Sequence, residues 1–257
     1  MTMLVVCTVA LLASGLTFFS GFGLGTLLLP VFAFFFPLEE AIALTAVVHF
    51  LNGLFKLALV GRHVDRGVIL RFGLPAIAAA FVGARALHAL SGLPDLLHYG
   101  LGGRELAVTP VKLTVGVLLL VFAVLEFSPR FGRLSFGARW LPLGGVLSGF
   151  FGGLSGMQGA LRSAFLVRAG LSKEVYVATG VAVSVLIDFT RLGVYGRTLA
   201  AEAGSLDWVL LAAAVLAAFA GAALGNLYLR KLTMRGVQRL VAVLLVLVAL
   251  GLGSGLL

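Results

Sequence analysis

The chain has 257 residues, is 61% hydrophobic and 11% charged, and carries a formal net charge of +9. That composition excludes an ordinary soluble domain and fits a polytopic membrane protein with its charges gathered between long apolar runs. It also sets aside the nucleic acid that +9 would suggest as a partner of a soluble protein, because Lys and Arg between membrane spans mark the loops of one face.

Apolar tracts of about 18 residues or more read as spans, since a hydrocarbon core of about 30 Å takes about 20 helical residues. Eight are visible: Met3 to Phe36, Ala41 to Val60, Val68 to Leu90, Val108 to Phe127, Trp140 to Val167, Val175 to Tyr195, Trp208 to Leu229 and Gly236 to Leu257. In lipid each segment must satisfy its own backbone hydrogen bonds, so an all-α polytopic fold is expected. The first tract is longer than the apolar region of a signal peptide, and no Lys or Arg precedes Lys56. The lone Cys7 allows no internal disulfide. Trp140 and Trp208 open spans and read as interface anchors. Glu39 and Glu40 precede a helix, where carboxylates favour the N-terminal dipole.

The first and fifth tracts are too long for one span, and both carry glycines in the middle: GLTFFSGFGLGTLLLPVFAFFFP from Gly15, and LPLGGVLSGFFGGLSGMQGALRSAFLVRAG from Leu141. The segments after them are also alike. PLEEAIALTAVVHFLNGLFKLALVGR, ending at Arg62, aligns with LSKEVYVATGVAVSVLIDFTRLGVYGR, ending at Arg197, with Glu40 over Glu174, Thr45 over Thr179 and Lys56 over Arg191. This predicts an internal repeat, residues 1–128 and 139–257, within one transmembrane domain spanning 1–257.

Loop charge then bears on topology. If all eight tracts cross once, Lys and Arg divide almost evenly. If the first and fifth are re-entrant hairpins turning at their glycines, then Arg62, Arg66, Arg71, Arg130, Arg133, Arg139, Arg168, Lys173, Arg230, Lys231, Arg235 and Arg239 fall on one face. The second arrangement follows the positive-inside rule. Each repeat then holds a broken or re-entrant glycine-rich helix plus three transmembrane helices, and the odd number of crossings inverts the second against the first. A cell membrane location with both termini outside is expected. The competing reading makes the two tracts long tilted helices whose glycines only permit close packing.

GFGLGTLLLP (Gly21 to Pro30) with AIALTA (Ala41 to Ala46), then GGLSGMQGALRSAF (Gly152 to Phe165) with VATG (Val177 to Gly180), resembles the sulfite exporter TauE/SafE family of membrane permeases. The resemblance runs over nearly the whole chain. It implies secondary transport or export of small anions, with sulfite, sulfonates and related organosulfur compounds as the class. The family's break usually has three consecutive glycines; Leu24 and Met157-Gln158 interrupt that pattern here, and Ala164 stands where a proline is expected. The general class, a small anion including organic acids, is therefore what carries over.

A half-helix starting after a glycine break aims free N–H groups and a partial positive charge at the cavity, which suits a small anion. Gly23, Gly25 and Thr26 supply that end in the first half, and Gly156, Gln158, Gly159 and Ser163 in the second. Arg162 is a charge inside a span, expected to face protein or water. It either neutralises a bound oxyanion by bidentate contact, pairs with Asp188, or snorkels to the interface. Asp188 and Arg191 are three apart on one face and either pair or serve proton uptake and the path, as does Lys56. Asn52 shares a face with His49; the first is a candidate for the site, the second for titration or packing.

Two other classes remain open. A channel also uses broken helices. An intramembrane serine hydrolase is suggested by GLSG, Gly153 to Gly156, with Ser155 as nucleophile; however, His49, His63, His88 and His98 all precede it, whereas the rhomboid protease base follows its serine. His63 and Asp65 lack further ligands at metal-binding spacing, and no P-loop is present. A bilayer and a small anion are thus the expected partners, with possible proton coupling and no cofactor.

Overall fold

The computed structural model describes residues 1–18, 24–128, 135–201, 204, 206–228 and 235–257. The described chain is mostly helical, and four helices are long and apolar enough to cross a membrane: Leu38–His63, Arg66–Ser91, Lys173–Gly196 and Trp208–Leu227. The first apolar tract divides into α1 (Thr2–Leu16) and α2 (Leu24–Ala33), of 15 and 10 residues. At about 1.5 Å per residue, neither crosses a core of about 30 Å. Next come α3 (Leu38–Val60) and a continuous helix formed by α4 (Arg66–Val68), a π turn over Ile69–Gly73 and α5 (Leu74–Ser91). Asp65 starts that helix by accepting from the Val68 amide at 2.8 Å.

The all-helical expectation requires one addition. Between α5 and α6 (Pro110–Phe127) the chain makes a hairpin of β1 (Leu97–Leu101) and β2 (Arg104–Val108). Gly102 and Gly103 turn it with φ of 59° and 78°, the two-residue geometry that matches strand twist. The hairpin caps the end of α11 (Arg235–Gly253), where the Tyr99 hydroxyl donates to the Ser254 carbonyl. It was hidden because its alternating LHYGLGGRELAV lies between two long apolar tracts whose periodicity dominates.

The fifth tract is a doubled-back pair, α7 (Leu141–Ser155) and α8 (Gly159–Leu166). Ser148 Oγ donates to the Gln158 carbonyl at 3.2 Å. Phe165 fills the space that a side chain on Gly144 would need. At the mouth, the Phe136 amide donates to the Ala164 carbonyl at 3.1 Å, and the two rings Phe136 and Phe165 stack with centroids 4.5 Å apart. The chain therefore enters and leaves this pair side by side.

With α9 (Lys173–Ala201) and α10 (Trp208–Tyr228), the main pairings are α7 on α5, α1 on α10, α6 on α11 and α3 on α9. Glycines set the first two. A Cβ on Gly145, Gly149 or Gly153 of α7 would stand 2.2, 2.2 and 2.1 Å from the carbonyl oxygens of Phe72, Ala76 and Ala80. On α10, Gly221 and Gly225 meet the carbonyls of Leu11 and Gly15 in the same way. Both registers rise together, so each pair is parallel.

At one end of the bundle, an apolar cluster of Val68, Phe72, Leu141, Ala164, Phe165 and Leu166 joins the segments that carry Arg66, Arg71, Arg139 and Arg168. A cavity at the same end is lined by Arg62, His63, Lys173 and Asn226. Arg130, Arg133, Arg230 and Lys231 lie outside the described residues, as do the side chains of Arg235 and Arg239. Because α5 and α7 leave this basic end while α10 arrives at it, the α5/α7 and α1/α10 pairs point in opposite directions.

The glycine ladder yields a test. Gly149→Val must force α7 away from α5 and is expected to destabilise by about 3 kcal/mol, the upper part of the overpacking range. Gly100→Ala, with open space around it, is expected to leave thermal unfolding of the detergent-solubilised protein unchanged.

Candidate functional site

The polar residues expected inside spans converge where α3 crosses α9. His49, Asn52 and Lys56 line one face of α3 at intervals of three and four, and Ser184, Asp188 and Arg191 do so on α9. The crossing is close because Gly53 has no side chain; a Cβ there would stand 2.9 Å from Val185 Cγ2. Asp188 is fully buried and both its oxygens are engaged. Oδ2 lies 2.5 Å from His49 Nδ1, and Oδ1 accepts from Arg191 Nε at 3.0 Å. The Asp188 and Arg191 pairing expected from their spacing is thus present, and His49 joins it across the helix crossing.

Arg162 is buried on α8, and its Nη1 donates to Gln158 Oε1 at 3.1 Å, one helical turn back. The hydrogen bonds of the Asp188 carboxylate go to His49 and Arg191. Gln158 stands at the start of α8, just after Gly156, which closes α7 in the left-handed conformation with φ 79°. A side chain at Gly156 would collide with the Arg191 guanidinium, Nη1 being 2.6 Å from its Cβ position. Glycine is therefore required twice there, by φ and by space.

The first break meets the second. A Cβ on Gly25 would lie 3.3 Å from the Gly156 carbonyl oxygen and 3.5 Å from the His49 ring. Thr26 is buried in α2, while Gly23 lies outside the described residues. Behind them, Ser14 Oγ donates to Asn52 Oδ1 at 3.0 Å and Lys56 Nζ donates to the Ser14 carbonyl at 3.3 Å. Among the expected site residues, His49, Asn52, Lys56 and Arg162 line one cavity of about 40 Å³. Gly25, Gly156, Gln158 and Gly159 form the adjoining break, and Ser163 points a buried hydroxyl that has no protein partner among the described residues.

Two electrostatic facts define this centre. Among the described residues, the buried basic side chains Lys56, Arg162 and Arg191 outnumber the buried carboxylates, of which Asp188 is the one at this centre. Arg191 Nη1 and Nη2, Gln158 Nε2 and Ser184 Oγ are also buried without a hydrogen-bond partner among the described residues. Among the described residues the centre is therefore rich in hydrogen-bond donors and basic groups.

Comparison with known families decides the broader assignment: the model described as sulfite exporter TauE/SafE matches residues 6–252. The chain belongs to the TauE/SafE family. It is accordingly a multi-pass membrane permease. Neither a curated protein nor a solved structure matches the chain.

Against this permease, Ser155 is spent locally: its Oγ donates to the Phe151 carbonyl at 3.0 Å, and it is absent from the lining of the cavity that holds His49. Ser14, Thr17, Phe18, Leu24, Gly53, Val181 and Ser184 also belong to the centre and were not anticipated. Ser184 had a signal, since it shares the face of Asp188 and Arg191. Phe18, Leu24 and Val181 had none, being apolar residues within apolar tracts.

Removing the carboxylate alone leaves Arg191 buried and unanswered. Asp188→Ala is expected to cost about 3–5 kcal/mol in stability. The double variant Asp188→Ala, Arg191→Met is expected to recover most of that loss in detergent unfolding experiments.

Proposed function

We propose that this permease is a secondary transporter of a compact oxyanion, sulfite or one of similar size, bound between the two glycine breaks. The observation that carries the reading is a small central cavity lined, among the described residues, by two buried basic side chains, Lys56 and Arg162, with no carboxylate in its lining. Buried basic groups are stabilised in their charged form by an anion beside them, and a transported oxyanion supplies one. A cavity of about 40 Å³ holds roughly three waters at about 10–15 Å³ of the same measure each. That room suits an anion of a few heavy atoms and disfavours a bulky organic acid.

The roles follow from position. Lys56 and Arg162 neutralise the anion, Asn52 and Ser184 orient it, and Gln158 at the start of α8 offers its amide. The first N–H groups of α2 and α8 have no intrahelical partner and add positive potential. The His49 and Asp188 contact is the proton-coupling element: protonation changes the charge opposite Arg191 and so the balance that the anion must meet. Movement is by rocking of two inverted repeats, residues 1–128 and 139–257, each with one re-entrant hairpin. The oppositely directed pairs α1/α10 and α5/α7 support that arrangement. Both termini then lie on the face opposite the basic loops, in a cell membrane.

Sulfite flux into proteoliposomes tests the site. Arg162→Gln and Lys56→Gln are each expected to lower flux at least about tenfold, the range for loss of a buried charged contact. Arg85→Gln, on an exposed side chain, is expected to leave it unchanged. Wild-type flux in both site variants would remove the proposed anion site. Reporter fusions placing the C-terminus in the cytoplasm would separately overturn the topology.

A further inference from the structure

We infer that Phe18 is the gate between the central site and a vestibule at the basic end, and that the vestibule is the route by which the anion reaches or leaves that face. The inference rests on the transporter reading above for its cargo, and on separate geometry for its gate.

Two cavities approach the centre from opposite ends. At the basic end lies one of about 350 Å³, lined by Arg62, His63, Lys173, Glu174 and Asn226 over an apolar floor of Leu59, Val60 and Val177. At the far end lies one of about 280 Å³, lined by Glu39, His88 and Tyr195 among others. Among the described residues, the second shares no lining residue with the central cavity, whereas the first shares one, Phe18. Among the described residues, the Phe18 ring thus borders both the vestibule and the proposed anion site.

The placement of that ring fits a gate. Phe18 stands two residues past α1 with its amide donating to the Gly15 carbonyl at 3.2 Å, so the backbone is held to the helix and opening is a turn of the side chain about its own bonds. It is almost fully buried, among Val177, Val181 and Val185 of α9 and Ala222 of α10. Lys56 Nζ stands 5.4 Å from its centroid, so the ring face covers the ammonium that the site would use. Swinging the ring aside exposes Lys56 to the vestibule and joins the two cavities. The mouth then presents Arg62, His63 and Lys173 with Glu174, a surround with more cationic than anionic groups, which concentrates small anions.

Accessibility measurements separate the gate from the cargo. In a Cys7→Ser background, Ser184→Cys places a thiol in the central cavity, and the anionic, impermeant reagent 2-sulfonatoethyl methanethiosulfonate is applied to each face of oriented vesicles. His63→Cys identifies the face on which the vestibule opens. With Phe18 present, Ser184→Cys is expected to react slowly from both faces. Phe18→Ala is expected to speed labelling at least about tenfold from the vestibule face alone, as a lost closure shifts the accessible population, and Phe18→Leu to speed it less. If Phe18→Ala fails to fold, Phe18→Leu against Phe18→Trp carries the test, with Leu faster than wild type and Trp no faster. Unchanged rates, or equal acceleration from both faces, would overturn the gate. No sulfite is needed for this readout, so loss of the sulfite assignment leaves the labelling result standing. Conversely, Arg162-dependent flux with Phe18-independent labelling discards the gate only.

Discussion

The buried carboxylate of Asp188 is the point on which the centre depends. In a low-dielectric interior an ion survives only with partners of opposite charge and satisfied hydrogen bonds. Asp188 meets that demand through His49 from α3 and Arg191 from its own helix. The contact therefore fastens the two central helices at their crossing, where Gly53 lets them approach. Lys56 and Arg162 stand around the adjoining cavity, bonded to the Ser14 carbonyl and to Gln158. The hydrogen bonds that shelter these charges are thus also what holds the centre of the fold together.

Glycine acts in this protein in two distinct ways. Along α7 and α10 it brings backbones together, with carbonyl oxygens of the partner helix occupying the Cβ positions. At Gly156 it ends a helix with a positive φ and makes room for Arg191. The fifth tract is therefore not one long tilted helix: its glycines pack α7 against α5, and just past α7 Gly156 interrupts the helix.

Much of this was legible in the residues because its signals are local. Tract length and apolarity announce membrane helices, and two tracts too long for one span announce their own interruption. Lys56 over Arg191 in the aligned halves marked two of the charges, and the i, i+3 spacing marked Asp188 with Arg191. The contact between His49 and Asp188 was not legible, since it joins residues on different helices whose azimuths only packing sets. The same holds for Phe18, an aromatic in a run of apolar residues whose role comes from the two cavities it borders. The β hairpin escaped because a short alternating segment gives a weak signal beside long helices.

By itself the sequence determined that the chain lives in a bilayer, that glycine breaks interrupt two of its tracts, and that a few charges must be sheltered inside. Hydropathy and the cost of buried charge operate residue by residue, so composition and spacing suffice for those statements. Only the tertiary structure decided which charge answers which. It brought Gly25 against Gly156, bonded Asp188 to His49 and Arg191, and set one phenyl ring at the border of two cavities. Those outcomes depend on the rotation and register of helices distant in sequence, which are set jointly by the glycine contacts and the charge pairs that packing alone assembles.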